Sequence, residues 1–339
     1  MRRRGFLRGS LSVLALGSLT AAGAVRAERT RRILYVLGQF SQATPPAMQA
    51  VVETIGGSGF NVAILSFLQA SSAGGKLTLL YNGNEFSSLA PEVPALLARL
   101  RSGFSLRRRV MLSVGGWQET ATFAAIRSFG AGNFVRQLSE RVIRPLGFDG
   151  IDLDLEPQTG GLDHWMETHR EYGRVLAEIT NEYKRVHPEH VVTHAPLSMV
   201  AAEMYAKATP LPGLPQGMLA ATCADGKNNI DWLNVQFYEG GLMAHGDIAG
   251  FYCDSLAAPL TKMRERTGVA RPLHFFTPLF QPEAKQPLVF CQQTMRAIDG
   301  RCAGLHAGRL DGVALWDYRQ VASSINTWAT GLAAALPAQ

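Results

Sequence analysis

The chain has 339 residues, of which 47% are hydrophobic, and a formal net charge of +6. This is enough for one enzyme domain, since a β/α barrel commonly needs about 250 residues, and no linker, repeat or low-complexity tract divides the sequence. Without residues 1–27, which hold five arginines, 28 Lys and Arg face 27 Asp and Glu, a net charge of +1. The basic character therefore belongs to the N-terminus, and a nucleic-acid partner is not indicated.

The first 27 residues have the pattern of an export signal. Arg2, Arg3 and Arg4 precede an apolar run at 11–24 that is too short to span a bilayer with margin, and a small-residue cleavage site ends at Ala27. The order Arg-Arg-x-Phe-Leu resembles the twin-arginine signal, which exports an already folded protein. We expect a periplasmic or extracellular protein with no stable membrane insertion after removal of the signal; an uncleaved membrane anchor is the alternative.

Short apolar runs alternate with helical patterns over residues 28–339, which is typical of a parallel sheet covered by helices. The clearest helix has Asp163 as a candidate N-cap and an apolar stripe from Trp165 to Tyr183, in which His169 is interpreted as a packed residue. The segment 198–229, where the fifth helix is expected, is rich in Pro, Gly and Ala, so a mostly loop conformation is the alternative there. The predicted strands are 33–37, 61–67, 109–114, 150–155, 191–195, 232–238, 273–278 and 312–316.

Eight strands in this alternation predict an α/β fold consisting of a single (β/α)8 TIM barrel over residues 28–339. An open doubly wound sheet is the alternative, but no glycine-rich phosphate loop follows the first strand. Only about thirty residues separate the last two predicted strands, too few for an extra α+β insertion domain. A shallow, open cleft is therefore expected.

One predicted strand carries four acidic residues, Asp149, Asp152, Asp154 and Glu156. Successive strand side chains point to opposite faces, so the last three share one face and Asp149, which has the opposite parity, is predicted to be structural. Neighbouring buried carboxylates cost free energy or take up a proton, which indicates a site that shifts pKa values. The polar face of an edge strand and a divalent-metal site are the alternatives.

The four cysteines leave the disulfide state open. Cys223, Cys253, Cys291 and Cys302 allow three pairings in an oxidising compartment, and their spacing is not that of a zinc site. If the protein folds before export, free buried thiols are an equally good expectation.

Polar and aromatic residues also collect at the ends of several predicted strands, where the chemistry of such barrels takes place. They occur after the first and second strands, around the third, and at the ends of the sixth and eighth. These residues are Phe40, Phe67, Ser113, Gly115, Gly116, Trp117, Gln236, Tyr238, Glu239 and Trp316.

This combination resembles the family 18 glycoside hydrolases, the chitinase-type barrels. Residues 149–156 match the family's D-x-x-D-x-D-x-E motif, and residues 113–116 match its S-x-G-G strand. Residues 236–239 resemble its Q-F-Y-N or M-x-Y-D element, and residues 314–317 resemble the strand that carries a tryptophan floor. The resemblance implies hydrolysis with retention, in which the substrate's own N-acetyl oxygen attacks and neither a metal nor another cofactor takes part.

The resemblance also implies roles for the acidic residues and for one tyrosine. Glu156 is expected to protonate the leaving oxygen, with a pKa raised by its carboxylate neighbours. Asp154 is expected to accept the acetamido N–H and to share a proton with Asp152. Tyr238 is expected to donate its hydroxyl to the acetamido oxygen.

Further residues are expected to bind substrate or to support the site. Trp316 should stack on a sugar ring, and Ser113, Gly115 and Gly116 should provide packing and backbone clearance beside the acidic strand. His194 and Leu197 stand where relatives often have Met and Glu, so the resemblance does not predict which residues line the far side of the sugar pocket. The other expected substrate contacts are Gln236, Glu239, Phe40, Phe67 and Trp117, of which Glu239 departs from the usual Asn or Asp.

We expect a monomeric, exported, endo-acting hydrolase of β-1,4-linked N-acetylglucosamine polymers such as chitin. One alternative is an endo-β-N-acetylglucosaminidase that cuts the core of N-linked glycans, and another is a barrel that binds chitooligosaccharides without turnover. A metal-dependent barrel enzyme is the third alternative.

Overall fold

The fold is a closed barrel of eight parallel strands with helices on its outside. It is seen in a computed structural model that describes residues 30–40, 44–157, 162–207, 209–215, 217–224, 227–238, 247–267, 276–282, 286–305 and 310–336. The strands are β1 (Arg31–Leu37), β2 (Val62–Ala73), β3 (Lys76–Tyr81), β4 (Asn84–Glu85), β5 (Arg109–Gly116), β6 (Gly150–Leu155), β7 (Val191–His194), β8 (Cys223–Ala224), β9 (Lys227–Asn228), β10 (Trp232–Gln236), β11 (Phe276–Phe280) and β12 (Gly312–Leu315).

Strand pairing closes the barrel. β1 pairs in parallel with both β2 and β12, and the remaining neighbours follow in the order β12, β11, β10, β7, β6, β5 and β2. The prediction of a single (β/α)8 TIM barrel is therefore confirmed. Each of the eight predicted strands corresponds to one barrel strand, although β2 runs on to Ala73 and the predicted residues 273–275 lie outside the described part of the chain.

Helices cover the outside of the barrel. Among the described residues, π-helical turns lie at Ser139–Ile143, Ala201–Ala206 and Tyr252–Ala257, and short 3-10 turns lie at Phe86–Ser88 and Ala322–Ser324. The α-helical segments are Pro45–Gly56, Val93–Ser102, Thr120–Phe129, Ala131–Leu138, Arg144–Leu146, Leu162–Val186, Ser198–Val200, Met218–Ala221, Ile248–Phe251, Ala258–Thr267, Leu288–Arg301, Tyr318–Val321 and Ile325–Ala335.

Two helix predictions can be compared with these bounds. The helix Leu162–Val186 has Asp163 in its first turn, so Asp163 as its N-cap is wrong; a carboxylate at this position still interacts favourably with the helix dipole. His169 is packed as expected, with 2% of its surface exposed and Nδ1 3.0 Å from the carbonyl of Trp165. The described part of 198–229 is helical over residues 198–206 and at Met218–Ala221 and contains the β8–β9 hairpin, which the sequence analysis did not predict.

The strands separate two apolar regions. A large one lies between the strands and the helices, and it includes Ile151, Leu153 and Leu155 of β6. A small one fills the barrel interior, where the opposite face of β6 brings Asp152 and Asp154. Its members are Ile33, Tyr35, Val62, Ile64, Met111, Val191, Trp232, Leu279 and Ala314, with Tyr238 and Trp316 packed against them.

One side of the barrel mouth is raised by a hairpin. β2 continues beyond the barrel and pairs antiparallel with β3, which pairs with β4. Gln69 of this hairpin donates to Glu119 at 2.7 Å, and Glu119 also accepts from Thr122 at 3.0 Å. The bond from Gln69 ties the hairpin to the loop that follows β5.

One disulfide is present in the helical layer. Cys253 and Cys302 are bonded, while Cys223 and Cys291 remain thiols. Arg301, next to Cys302, forms ion pairs at 2.9 Å with Asp247 and Asp254, so bridge and ion pairs join the same two helices.

The expected export signal, residues 1–27, lies outside the described residues. Within the part that is described, no helix combines the length and the apolar character needed to cross a bilayer.

Candidate active site

Three carboxyl groups of β6 and the residue after it line the barrel interior at its C-terminal end. Asp152, Asp154 and Glu156 are 0%, 3% and 7% exposed, so accessibility increases toward the mouth. All three side chains point inward because alternate residues of a strand lie on the same face. The expected position of the three acids at the mouth of the barrel is observed.

Asp152 is surrounded by hydrogen-bond donors. Its Oδ2 accepts from the Tyr35 hydroxyl at 3.1 Å and from Ser113 at 2.8 Å. Its Oδ1 accepts from Thr193 at 2.5 Å and from the Asn234 amide at 3.2 Å. Burial raises the pKa of Asp152, and these four bonds oppose that rise. Because an ionised carboxylate offers about four acceptor sites, this environment suits Asp152 as a charged acceptor.

Asp154 is paired with Glu156. Both carboxyl groups accept from one nitrogen, Nε2 of Gln236, so Asp154 Oδ1 and Glu156 Oε1 lie side by side. The pKa of Asp154 is raised well above its usual value by burial, then by the charge of Glu156 and then by that of Asp152. We expected a proton shared between Asp152 and Asp154; four other donors also bond Asp152, and the shared proton stays a prediction.

Gln236 lies against this pair from β10. Its Nε2 is 3.1 Å from Asp154 Oδ1, 3.1 Å from Glu156 Oε1 and 2.9 Å from the carbonyl oxygen of Ala195. Gln236 is 0% exposed, so in this structure its side chain bonds to the acids rather than lining the open surface, where we expected it to contact substrate.

Aromatic rings border the carboxyl groups. Trp316 is half-buried and stacks on Phe67 with ring centroids 5.4 Å apart, and Tyr35 contacts it edge-on at 5.6 Å. Tyr238, also half-buried, packs against the same interior cluster. Two cis peptide bonds lie here, Ser66–Phe67 and Trp316–Asp317. The structure thus brings three of the expected aromatic residues, Phe67, Tyr238 and Trp316, to the barrel mouth.

The remaining expected substrate contacts are dispersed. Trp117 is 51% exposed at the end of β5, with its ring 6.4 Å from that of Trp165. Phe40 is 2% exposed and belongs to the apolar layer between strands and helices, so the structure offers it no sugar-facing surface. Glu239 lies outside the described residues.

The expected backbone clearance on β5 is visible at two glycines. A Cβ atom on Gly115 would lie 2.1 Å from the carbonyl oxygen of Asp154, and one on Gly116 would lie 2.6 Å from the Phe67 ring. Both have positive φ angles, +107° and +97°. Only glycine allows β5 to approach the acidic strand so closely. Ser113 does more than the expected packing, because it donates to Asp152.

Asp149 takes no part in the acidic cluster. Its Oδ2 accepts the backbone N–H of Val110 at 2.8 Å, at the N-terminal end of β6. This contact agrees with the structural role that its parity predicted.

His194 and Leu197 do not form a wall of the sugar pocket. Thr193 points inward to Asp152, so His194 points outward, where its ring nitrogens lie 2.8 Å from Thr180 Oγ1 and 2.8 Å from the Tyr205 hydroxyl. Burial, followed by the charge of His169, lowers the pKa of His194 to about 3. Leu197 belongs to the outer apolar layer. The far side of the sugar pocket is therefore not formed by His194 or Leu197.

Three residues of the site were missed, namely Tyr35, Thr193 and Asn234. They come from β1, β7 and β10, and each bonds Asp152. Asn234 was within reach of the parity argument, because it lies two residues before Gln236 on the same strand face. For Tyr35 and Thr193 the sequence carries no signal beyond polarity within an apolar strand.

The described residues contain no group of three His, Cys, Asp or Glu side chains arranged to hold a metal ion.

The chain was compared with known protein sequences and solved structures. No curated protein sequence matches. Among solved structures, the ChiA C-terminal domain of Legionella pneumophila is 18% identical with a TM-score of 0.57, covering 89% of this chain and 97% of that chain. A provisionally assigned chitinase A of Streptomyces coelicolor is 17% identical with a TM-score of 0.55, covering 91% and 98%. A xylanase and α-amylase inhibitor protein, XAIP-I, is 14% identical with a TM-score of 0.50, covering 90% and 98%.

At such identities these likenesses show the fold, which is shared by proteins described as chitinases and by one described as an inhibitor. The sequence itself matches the family described as glycosyl hydrolases family 18 over residues 33–286, most of the chain. The chain belongs to glycosyl hydrolases family 18.

Proposed function

We propose that this protein is a retaining, endo-acting hydrolase of β-1,4-linked N-acetylglucosamine polymers, in which the acetamido oxygen of the substrate is the nucleophile. The observation that carries the proposal is the pair of buried, adjacent carboxyl groups of Asp154 and Glu156 at the barrel mouth, which accept from the same amide nitrogen. Family membership and the barrel support a glycosidase of the chitinase type.

The spacing of the pair argues for a nucleophile supplied by the substrate. A retaining glycosidase with its own nucleophile needs two carboxyl groups about 5–5.5 Å apart, on opposite sides of the scissile bond. Asp154 and Glu156 instead extend from the same face of one strand, and both accept from Gln236 Nε2 at 3.1 Å. Two groups so close cannot flank a sugar ring, so one protonates the leaving oxygen and the other serves the acetamido group.

Position along the strand distributes these roles. Glu156 is nearest to the mouth and is the proton donor to the leaving oxygen. Asp154 then accepts the acetamido N–H, which turns the carbonyl oxygen toward the anomeric carbon and stabilises the positive ring that forms. Tyr238 donates to that carbonyl oxygen, and Trp316 offers the flat apolar surface on which the sugar rests.

The cleft supports cleavage within a chain. Only residues 281–311 connect β11 to β12, and in their described part they form the single helix Leu288–Arg301. No room is left there for a domain that would deepen the groove, and an open groove admits a polymer from the side.

Export completes the proposal: residues 1–27 direct the protein to the periplasm or beyond, where it acts as a monomer. The Cys253–Cys302 disulfide supports an oxidising location. N-terminal sequencing of protein recovered from the producing cells tests this, and an intact Met1 on exported protein would contradict cleavage of the signal.

The function is tested by following the products of chitotetraose and longer oligomers at early times. We expect the β anomer first and a mixture of product lengths, with no cleavage of fully deacetylated oligomers. An α anomer, or equal cleavage without acetyl groups, would overturn the mechanism. Cleavage of a high-mannose glycopeptide alone would redirect the proposal to N-glycans, and binding without new reducing ends from about pH 4 to pH 8 would indicate a sugar-binding protein.

A further inference from the structure

We propose that Gln236 is a positioning residue that holds the Asp154–Glu156 pair in its singly protonated arrangement, and that it is not a ligand of the sugar. This inference rests on the proposed function and assigns one more residue to the same site. It starts from the three acceptors around a single amide nitrogen.

The orientation of the Gln236 amide is fixed by its surroundings. The backbone carbonyl of Ala195, 2.9 Å from Nε2, can only accept a hydrogen bond. If the amide were turned over, its oxygen would face that carbonyl and both carboxyl groups. The nitrogen therefore faces the pair, and its two hydrogens are divided between Ala195 and the acids.

One N–H must then serve two carboxyl oxygens. Asp154 Oδ1 and Glu156 Oε1 are equally distant from Nε2, at 3.1 Å. A donor shared in this way holds both oxygens at one point and so keeps the two carboxyl groups beside each other. Of two carboxyl groups brought together like this, one is ionised and one carries the proton, which is the form that general acid catalysis needs.

Gln236 is itself out of reach of the substrate. It is 0% exposed, whereas Glu156 is 7% exposed. Its Oε1 is buried and makes no hydrogen bond to the described residues. An apolar side chain would avoid this unpaired buried acceptor, yet the position holds an amide. This favours a function for the nitrogen over a contribution to packing.

Several other groups face the pair and share in its titration. Asp152 faces the pair from the same strand, and the Tyr35 hydroxyl faces it from β1. The pKa of Tyr35 is raised mainly by burial and further by the charges of Asp152, Asp154 and Tyr238. From β5 the neighbours are glycines, which carry no charge. The bond from Gln236 opposes the rise that burial and Glu156 cause in the pKa of Asp154.

Replacing Gln236 by Met removes the donor and keeps a side chain of similar length. Because the lost bond favoured ionised oxygens, the apparent pKa values of the pair rise and both limbs of the pH–rate profile move to higher pH. We expect kcat to fall about 10-fold, since the acid is held less well, with KM within about 2-fold of the wild type. A raised KM with an unchanged pH profile would show a sugar ligand and would overturn the proposal.

Gln286 offers a matched control, because it is another buried glutamine near the end of β10. Its amide donates to the Phe237 carbonyl at 3.0 Å and its Oε1 accepts from Gln281 at 2.7 Å. Gln286→Met should leave the limbs of the profile in place. An equal shift in both variants would mean a general packing effect and would also overturn the assignment.

A measurement without turnover separates this inference from the proposed function. The protonated pair has a carboxyl band in infrared difference titrations, which Asp154→Asn and Glu156→Gln identify by its loss. In Gln236→Met that band should persist to higher pH than in the wild type. If the enzyme hydrolyses none of the proposed substrates but the band shifts, the proposed function fails and the positioning role stands; an unshifted band refutes the role whatever the activity.

Discussion

Strand β6 uses acidic residues at both of its ends, and the two ends differ in what the carboxyl groups meet. At the start, Asp149 accepts a backbone N–H from β5, an arrangement repeated where Asn61 accepts from Arg32 and where Asp231 accepts from Val192. At the far end, Asp154 meets another carboxyl group. The difference separates an acid that accepts from the backbone, with a structural role, from an acid beside a second acid, to which the proposed function assigns the chemistry.

The largest effect is expected at the far end, from Glu156→Gln. The amide has the same shape but cannot give up a proton to a leaving oxygen, and general acid catalysis is worth about 100- to 10,000-fold. We expect kcat to fall by that range while binding of chitotetraose persists, as measured by calorimetry beside the initial rate. Near-normal turnover would remove Glu156 from its role and would leave the two ends of β6 chemically alike.

Gly115→Ala tests whether the far end needs the close approach of β5. The new Cβ atom would meet the Asp154 carbonyl at 2.1 Å with φ at +107°, so we expect a loss of about 3 kcal/mol in the free energy of unfolding. Gly74→Ala is the matched control, because its φ is also positive but nothing lies within 4 Å of the new atom. It should cost about 1 kcal/mol, and equal losses in denaturant unfolding would show that only the backbone angle matters.

A fall in pH should affect stability differently through the outer face of the barrel and through its inner face. On the outer side, burial lowers the pKa of His169 to about 4 and that of His194 to about 3. Since the unfolded chain binds these protons near pH 6.5, stability is lost as pH falls below about 6.5, by about 1.4 kcal/mol per pH unit for each histidine.

His194→Gln keeps hydrogen-bonding groups toward Thr180 and Tyr205 but does not titrate in this range. The thermal unfolding temperature should therefore fall less steeply between pH 7 and about pH 4 in this variant than in the wild type. His164→Gln, at an exposed position of the same helix as His169, is the control and should leave the slope unchanged. A wild-type slope in His194→Gln would place the acid sensitivity elsewhere, in the interior carboxyl groups.

The sequence predicted the barrel and the inward face of β6 well, because both follow from periods along a single strand. It did less well where several strands meet. The donors Tyr35, Thr193 and Asn234 reach Asp152 from three different strands, and their convergence depends on register, which one sequence does not reveal. His194 shows the limit of such reasoning, since a shift of one residue moves a side chain from the pocket to the helix layer.

The partner of Asp154 and the pairing of the cysteines belong to the same class. Strand parity puts Asp152 and Glu156 at equal separations from Asp154, and only the three-dimensional arrangement shows that Asp154 shares its donor, Gln236, with Glu156. Likewise, three cysteine pairings were open until the helices that carry Cys253 and Cys302 were placed beside each other.

The smallest effect is expected at the start of β6, where amide and acid should be interchangeable. Asp149→Ala leaves the buried N–H of Val110 without its acceptor, a loss of about 1–2 kcal/mol in unfolding free energy, with kcat within about 2-fold of the wild type. Asp149→Asn should restore stability, because an amide oxygen accepts equally well and the protein already uses Asn61 in this way. At Asp154 the same change to Asn should abolish the pair. A fall in kcat for Asp149→Asn as large as that for Asp154→Asn would mean that the whole acidic strand acts as one unit.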